Sequence, residues 1–176
     1  MQEEMLKEDW LSPKIEIKVA HEKGKGIFAV LPINSGEKIL IWGGQYVDEK
    51  KAIQEKARGK KVMQWDDNLY SIENNGEDLG YFINHSCDPN TWMIGAYTII
   101  AKRNIKVGEE ITTDYVLWEA RGDDFVSKWE CKCGALNCRK KLTGKDWKLT
   151  ELQKRYKDHF SPLINKWIQA QNGESN

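Results

Sequence analysis

The chain has 176 residues, of which 40% are hydrophobic and 31% charged, so it is long enough for one domain with a single core. Lysine plus arginine number 27 and aspartate plus glutamate also 27, which excludes a nucleic-acid binder that works through overall positive charge. No apolar run approaches the roughly 20 residues that cross a bilayer, and the first residues lack the apolar stretch of a signal peptide. We therefore expect a soluble chain without membrane contact.

The charged residues are unevenly distributed along the chain. Residues 66–88 carry six acidic side chains and no lysine or arginine, and residues 109–124 carry six acidic side chains against Arg121. Residues 128–157 hold ten basic and three acidic side chains. Such runs are usually solvated faces, but acidic segments around a site would steer a cationic substrate toward it.

The residue pattern predicts a β-rich domain with a helical C-terminal part. Short strands separated by turns are expected at residues 15–19, 27–30, 38–42, 69–72, 97–102 and 110–115. Asp48 is expected to cap a short helix that ends at Arg58. From about Lys145 the pattern becomes helical, and Ser161-Pro162 is typical of the start of a last helix.

The cysteines indicate a metal site. Cys131, Cys133 and Cys138 have the spacing C-x-C-x4-C, and the remaining cysteine, Cys87, lies in the segment NHSCDPN. Four thiolates complete a tetrahedral zinc site, and such a closed site is structural, not catalytic. Disulfides and unrelated buried thiols are the alternatives, although the C-x-C spacing suits disulfides poorly and thiols stay reduced inside cells. We predict that one Zn²⁺ holds residues 131–138 beside the loop at Cys87.

Four motifs follow one another along the chain: GKGIFA at 24–29, YFINHSCDPN at 81–90, GEEITTDY at 108–115 and CKCGALNCR at 131–139. Together they resemble the SET-domain protein lysine methyltransferases with a post-SET zinc motif, and the chain's size is similar to the small stand-alone SET proteins of microbes. The resemblance implies a mainly β fold of small curved sheets, of the β-clip type with a pseudoknot. The expected organisation is a SET domain at 14–117, a post-SET zinc segment at 127–143 and a C-terminal helical extension at 144–172.

The same resemblance implies a reaction and a set of site residues. Members of the family transfer a methyl group from S-adenosylmethionine to the ε-amine of a lysine in a protein substrate. By similarity, the residues that contact this cofactor are Lys23, Gly24, Lys25, Gly26, Asn84, His85 and Tyr115. Tyr115 is also the expected catalytic residue, which would orient the methyl group and the amine, because a tyrosine pKa near 10 argues against a simple general base. The expected substrate-channel residues are Trp42, Tyr70 and Thr113, although core packing explains aromatic residues on strands equally well.

Three positions depart from the family pattern. Thr113 stands where many members have Phe or Tyr, and the smaller side chain favours di- or trimethylation. Tyr81 replaces a common arginine, which removes one positive charge near the cofactor. The run Arg139-Lys140-Lys141-Leu142 is less apolar than usual after the last cysteine, so we expect a thin cover over the adenine and modest cofactor affinity.

Two functions of different classes fit these residues. The first is an active protein lysine methyltransferase whose partner is a histone or another basic protein, and the second is a non-catalytic, zinc-stabilised binding module with the same fold. Direct nucleic-acid binding is not expected, because residues 128–157 contain no base-reading motif. We expect a location inside the cell, in the cytoplasm or a nucleus, with secretion as an effector as the alternative.

Overall fold

The computed structural model describes residues 5–20, 24–72, 78–119 and 129–173. Within these ranges the chain forms short strands, three α-helices and several 3-10 turns. The strands are β1 (Trp10–Leu11), β2 (Ile15–Val19), β3 (Lys25–Ala29), β4 (Lys38–Ile41), β5 (Gln45–Val47), β6 (Val62–Asp66), β7 (Leu69–Ile72), β8 (Asn84–His85), β9 (Thr91–Ile94), β10 (Thr98–Ala101), β11 (Glu110–Thr113), β12 (Trp129–Glu130) and β13 (Lys141–Leu142). The helices are α1 (Glu49–Ala57), α2 (Thr150–Arg155) and α3 (Pro162–Gly173).

The strands form four small sheets. Their orders are β1-β4-β10-β9, β2-β3-β11-β8, β5-β7-β6 and β12-β13. The predicted mainly β architecture with C-terminal helices is therefore confirmed. Among the described residues no helix is long and apolar enough to cross a membrane.

One sheet brings two distant motifs together. β11 pairs with β3 on one side in the antiparallel sense and with β8 on the other side in the parallel sense. The parallel register places Thr112 opposite Asn84 and Thr113 opposite His85. Residues just after β11 consequently lie beside the Asn84-His85 segment.

The core extends across the sheets into the C-terminal helices. It includes Ile27, Leu40, Met93, Ile99 and Ile111, all fully buried. Leu152, Tyr156 and Ile164 from the C-terminal extension are fully buried in the same cluster. Because a helix that shares the core cannot leave without exposing it, the extension is an integral part of the folded unit.

Most predicted elements are confirmed, with shifted ends. The strands at 15–19 and 69–72 and the helix capped by Asp48 are found as predicted, and the Asp48 carboxylate accepts the Lys51 N–H at 2.8 Å. The predicted strand at 110–115 is too long, because it ends at Thr113. Asp114 accepts the Val116 N–H at 3.2 Å and so caps a 3-10 helix, Tyr115–Leu117, in place of a continuing strand.

Candidate active site and cysteine cluster

Tyr115 is held against the Ile83–His85 segment by two hydrogen bonds. Its hydroxyl donates to the Ile83 carbonyl oxygen at 2.8 Å, and its backbone N–H donates to His85 Nδ1 at 3.4 Å. The ring centroids of Tyr115 and His85 are 5.3 Å apart. The fold thus fixes Tyr115 both at its backbone N–H and at its hydroxyl.

Burial raises the pKa of the Tyr115 phenol well above its usual value, and the negative charges of Glu119 and Glu110 add to the effect. The hydroxyl therefore keeps its proton throughout the neutral range. This chemistry suits a hydrogen-bonding and orienting group, not a proton acceptor.

Asn84 connects the glycine motif at residues 24–26 to the segment that holds Tyr115. Its side-chain amide donates to the Lys25 carbonyl at 3.0 Å and to Glu110 Oε1 at 2.8 Å. A Cβ atom at Gly26 would lie 2.8 Å from the Asn84 amide nitrogen, so only glycine permits this approach. Gly24 has a φ of +80°, the left-handed region that favours glycine. Lys23, predicted to contact the cofactor, lies outside the described residues.

Two cavities share Tyr115 and Trp129 and otherwise have different walls. The first, about 280 Å³, is lined by Asn84, His85 and the cysteine segment. The second, about 220 Å³, is lined largely by apolar and aromatic side chains. Tyr115 is consequently the point at which a ligand in one cavity would meet a ligand in the other.

The second cavity has an aromatic wall around Tyr115. The ring centroid of Tyr115 lies 5.6 Å from that of Trp118 and 5.2 Å from that of Trp129. The ring centroids of Trp42 and Trp118 are 4.6 Å apart. Trp42 was predicted as a channel residue, and its indole N–H, buried, has no hydrogen-bond partner among the described residues. Trp118 and Trp129 were missed, although an aromatic residue three positions after Tyr115 was a visible signal.

The structure places the other predicted channel residues away from these walls. Tyr70 packs with Ala52 and Val62 under helix α1, and it lines neither of the two cavities. Thr113 is fully buried on β11, and its hydroxyl has no hydrogen-bond partner in the described part of the chain. The Thr113 side chain likewise lines neither cavity.

Charged groups stand at the second cavity. Glu119 and Lys61 are among its lining residues. The Lys61 ammonium lies 4.9 Å from the centroid of the Tyr81 ring. Tyr81 lines this second cavity and not the cavity beside Asn84 and His85. The cavity therefore combines aromatic faces with one charge of each sign.

The four cysteines come together in one cluster. The sulfurs of Cys87 and Cys131 are 3.9 Å apart, and the ligand atoms of Cys87, Cys131, Cys133 and His85 all lie within 4.8 Å of one another. Cys138 packs against the same cluster, with its Sγ 3.4 Å from the Cys131 carbonyl oxygen. All four cysteines are free, so the disulfide alternative is not found.

Several N–H groups point at these sulfurs. Backbone N–H groups of Arg139 and Lys140 donate to the sulfurs of Cys87 and Cys138 at 3.3 Å and 3.4 Å. Burial opposes ionisation of Cys133, yet the backbone N–H groups of Cys87 and Ala135 lower the pKa of its thiol to about 6. Burial raises the pKa of the Cys87 thiol to about 11 and also raises that of Cys131. Four cysteine sulfurs with N–H donors around them have the donor chemistry of a zinc site, because a bound Zn²⁺ would hold them as thiolates.

His85 connects the cluster to Tyr115. Because Nδ1 accepts the Tyr115 N–H, the ring proton belongs on Nε2, which lies 3.3 Å from the Cys87 sulfur. In that tautomer the imidazole donates to the sulfur and does not act as a metal ligand. The four side chains whose ligand atoms lie within 4.8 Å of one another are nevertheless His85, Cys87, Cys131 and Cys133, and Cys138 packs beside them.

Fold and site together define a known class of domain. Residues 24–116, more than half of the chain, match the SET domain family, and the chain belongs to that family. It is 34% identical over 151 residues to the putative histone-lysine N-methyltransferase ASHH4 of Arabidopsis thaliana, covering 77% of this chain and 41% of the relative. It is also 34% identical over 155 residues to the probable histone-lysine N-methyltransferase set-23 of Caenorhabditis briggsae, covering 75% of this chain and 61% of the relative.

A solved structure supports the fold. The methyltransferase domain of the human histone-lysine N-methyltransferase SETMAR superposes with a TM-score of 0.56 at 18% identity, covering 75% of this chain and 58% of that chain. The chain thus spans about two fifths to three fifths of the relatives and neighbour it resembles.

Proposed function

We propose that this protein transfers a methyl group from S-adenosylmethionine to the ε-amine of a lysine in a basic protein, a histone or another. The single observation that carries the proposal is the position of Tyr115, whose hydroxyl is fixed by Ile83 where two differently lined cavities share a wall. The curated relatives ASHH4 and set-23 are named histone-lysine N-methyltransferases. Free thiols and these relatives support a location inside the cell.

The cavity beside Asn84 and His85 fits the cofactor. Its walls combine the polar side chains of Asn84 and His85 with the apolar surfaces of Trp129 and Leu142, as a ligand with an amino-acid part and an adenine requires. Asn84, His85, Tyr115 and the backbone at Gly24–Gly26 would hold it, and by the family resemblance Lys23 and Lys25 would also contact it. When bound, the cofactor supplies an electrophilic methyl group on a sulfonium.

The aromatic cavity fits the substrate lysine. Ring faces of Trp42, Trp118 and Trp129 can enclose an alkyl chain and attract a cationic head. Glu119 adds a negative charge at the same cavity. Tyr115 would orient the neutral amine, formed when the substrate ammonium loses a proton to solvent, toward the methyl group that the cofactor supplies, so the protein contributes positioning and exclusion of water.

We propose one structural Zn²⁺ held by Cys87, Cys131, Cys133 and Cys138. Such a metal would fix the segment that carries Trp129 and Leu142, which line the cofactor cavity. Its role is to complete this wall and not to take part in methyl transfer.

Thr113 supports a proposal about the number of methyl groups transferred. It is smaller than the aromatic residue that many family members carry at this position, and it lies directly before the Asp114-Tyr115 pair. We propose di- or trimethylation from this family position alone, because the buried Thr113 side chain lines neither cavity.

Acidic residues near the substrate cavity predict a salt effect. Glu119 lines that cavity, and the acidic segments 66–88 and 109–124 contain or flank several of its lining residues in the sequence. Attraction between these carboxylates and a basic peptide is screened by added ions. We expect the peptide KM to rise about threefold or more between low salt and about 0.3 M salt. A peptide whose flanking lysines and arginines are replaced by glutamine should change less, and equal KM values at both salt concentrations would contradict the steering.

The raised pKa of Tyr115 predicts the pH profile. Burial favours the neutral phenol, so deprotonation moves to higher pH and the hydroxyl stays intact through pH 10. A substrate lysine has a pKa of about 10.4, and the fraction of reactive amine rises with pH. We therefore expect kcat/KM to increase about tenfold per pH unit from pH 7 to 9 with no descending limb below pH 10. A bell-shaped profile centred near pH 8 would show that a group in the site loses its proton there.

The proposal is tested by transfer of tritiated methyl groups. The protein is incubated with labelled S-adenosylmethionine and a mixture of histones and other basic proteins, and label is expected on lysine. The binding-module alternative predicts that the cofactor or a basic peptide binds while no label is transferred to any protein offered.

A further inference from the structure

We propose that a buried ion pair between Asp114 and Arg139, completed by Tyr156, positions Tyr115 and makes the C-terminal extension a working part of the methyl-transfer site. This inference rests on the proposed function. The three residues come from three different parts of the chain: the end of the SET motif, the cysteine segment and helix α2's C-terminal flank. Residues 139 and 156 also lie beyond the 24–116 range that matches the family.

The carboxylate of Asp114 is completely buried and fully bonded. Arg139 donates to both of its oxygens, Nη1 at 2.6 Å and Nη2 at 2.7 Å, in the fork geometry of a strong bidentate pair. The Tyr156 hydroxyl donates to Oδ2 at 2.9 Å, and the Val116 N–H donates to Oδ1 at 3.2 Å. Each oxygen therefore has two donors, which fixes the carboxylate in one orientation.

Arg139 connects this carboxylate to the cysteine cluster. Its Nε donates to Asp146 Oδ2 at 2.9 Å, and its backbone N–H donates to the Cys87 sulfur at 3.3 Å. The side chain is only 10% exposed. Burial alone would lower the pKa of Arg139, but the bonds and charge of Asp114 raise it above its usual value, so the guanidinium stays charged.

The pair acts on Tyr115 through the backbone. Asp114 directly precedes Tyr115, and its carboxylate caps the 3-10 helix Tyr115–Leu117 through the Val116 N–H. That helix sets the direction in which the Tyr115 side chain leaves the backbone. The hydroxyl must then reach the Ile83 carbonyl and the N–H must reach His85 Nδ1. A misplacement of about 1 Å at a reacting group can cost on the order of 100-fold in rate.

Two substitutions can separate a positioning role of this network from a contribution to stability alone. Tyr156 is fully buried in the core, so Tyr156→Phe keeps the ring packing and removes the hydroxyl, with its bond to Asp114 and its contact with the neighbouring Arg155. Arg139→Lys keeps the charge but not the fork. If the network only stabilised the fold, both variants, when folded, would have the kcat of the wild type.

The test compares Tyr156→Phe, Arg139→Lys and Arg139→Gln with the wild type. Arg103→Gln is the matched control, because it breaks an arginine–carboxylate pair of 2.5 Å with Glu109 at the surface. Zinc per chain, the cofactor dissociation constant, melting temperature, peptide KM and kcat are measured for each. We expect Arg103→Gln to leave kcat unchanged. We expect kcat to fall about tenfold in Tyr156→Phe and about 100-fold in Arg139→Gln, with partial recovery in Arg139→Lys.

The measurements other than kcat decide the interpretation. The positioning role requires that Tyr156→Phe and Arg139→Lys keep their zinc, and that the cofactor dissociation constant and peptide KM stay within about twofold of wild type. It is overturned if Tyr156→Phe, folded at the assay temperature, has wild-type kcat, or if its kcat loss simply follows loss of zinc or of cofactor binding. Should Arg139→Gln fail to fold, Tyr156→Phe carries the test. A wild-type protein that transfers no methyl group would refute the proposed function itself, whereas transfer that is insensitive to Tyr156 refutes only this inference.

Discussion

Replacing Tyr115 by phenylalanine is expected to reduce kcat by about 100-fold or more, while the cofactor still binds. The phenylalanine ring can keep the contacts with Trp118 and Trp129, but it loses the hydroxyl that donates to the Ile83 carbonyl oxygen. Without that bond neither the ring nor the attacking amine is oriented. The measurement is kcat under saturating cofactor and peptide, together with the cofactor dissociation constant from calorimetry.

Tyr46→Phe is the matched control for that variant. Its hydroxyl donates weakly to the Trp42 carbonyl oxygen at 3.4 Å, and the Tyr46 side chain lines neither cavity. We expect kcat within about twofold of wild type for Tyr46→Phe. A Tyr115→Phe protein with undiminished kcat would remove Tyr115 from the catalytic role.

Loss of the metal is expected to abolish cofactor binding as well as activity. The purified protein should contain about one zinc per chain, and Cys131→Ser should lose it, because one of four thiolates is then missing. The segment with Trp129 and Leu142 would no longer be fixed against Cys87, and the wall of the cofactor cavity would open. Metal content by atomic absorption and cofactor affinity by calorimetry check both effects.

Two comparisons make the zinc prediction specific. Chelated protein should regain binding with added Zn²⁺ but not with Mg²⁺, which prefers oxygen ligands. Cys138→Ser should lose the metal, whereas His85→Gln should retain it, since His85 donates to the Cys87 sulfur in the assigned tautomer. If Cys138→Ser kept the metal and His85→Gln lost it, the fourth ligand would be His85 and not Cys138.

The short motifs were predictable because their residues are close in sequence or of a type that few chemistries use. Three cysteines within residues 131–138 indicate a metal from spacing alone. The segment around Asn84 and His85 forms a strand of only two residues, which has no alternation to detect. Its position beside Tyr115 came from the family resemblance, and β8–β11 pairing supplies the physical reason.

The missed features depend on contacts between distant segments. Trp129 is 14 positions from Tyr115 in sequence, and nothing in its surroundings indicates that the rings lie 5.2 Å apart. Arg139 reads in sequence as part of a basic run, yet it is a buried partner of Asp114. Tyr70 shows the opposite case, because an aromatic residue on a strand fits a channel or a core equally well, and here it packs with Ala52 and Val62.

The most direct test of the account is mass spectrometry of a basic protein after incubation with the protein and S-adenosylmethionine that carries a deuterated methyl group. The account predicts labelled ε-N-methyllysine, and about 100-fold less label in the same time when Tyr115→Phe replaces the wild type. The account would be contradicted if the zinc-loaded wild type bound the cofactor saturably but left every lysine of the offered proteins unlabelled.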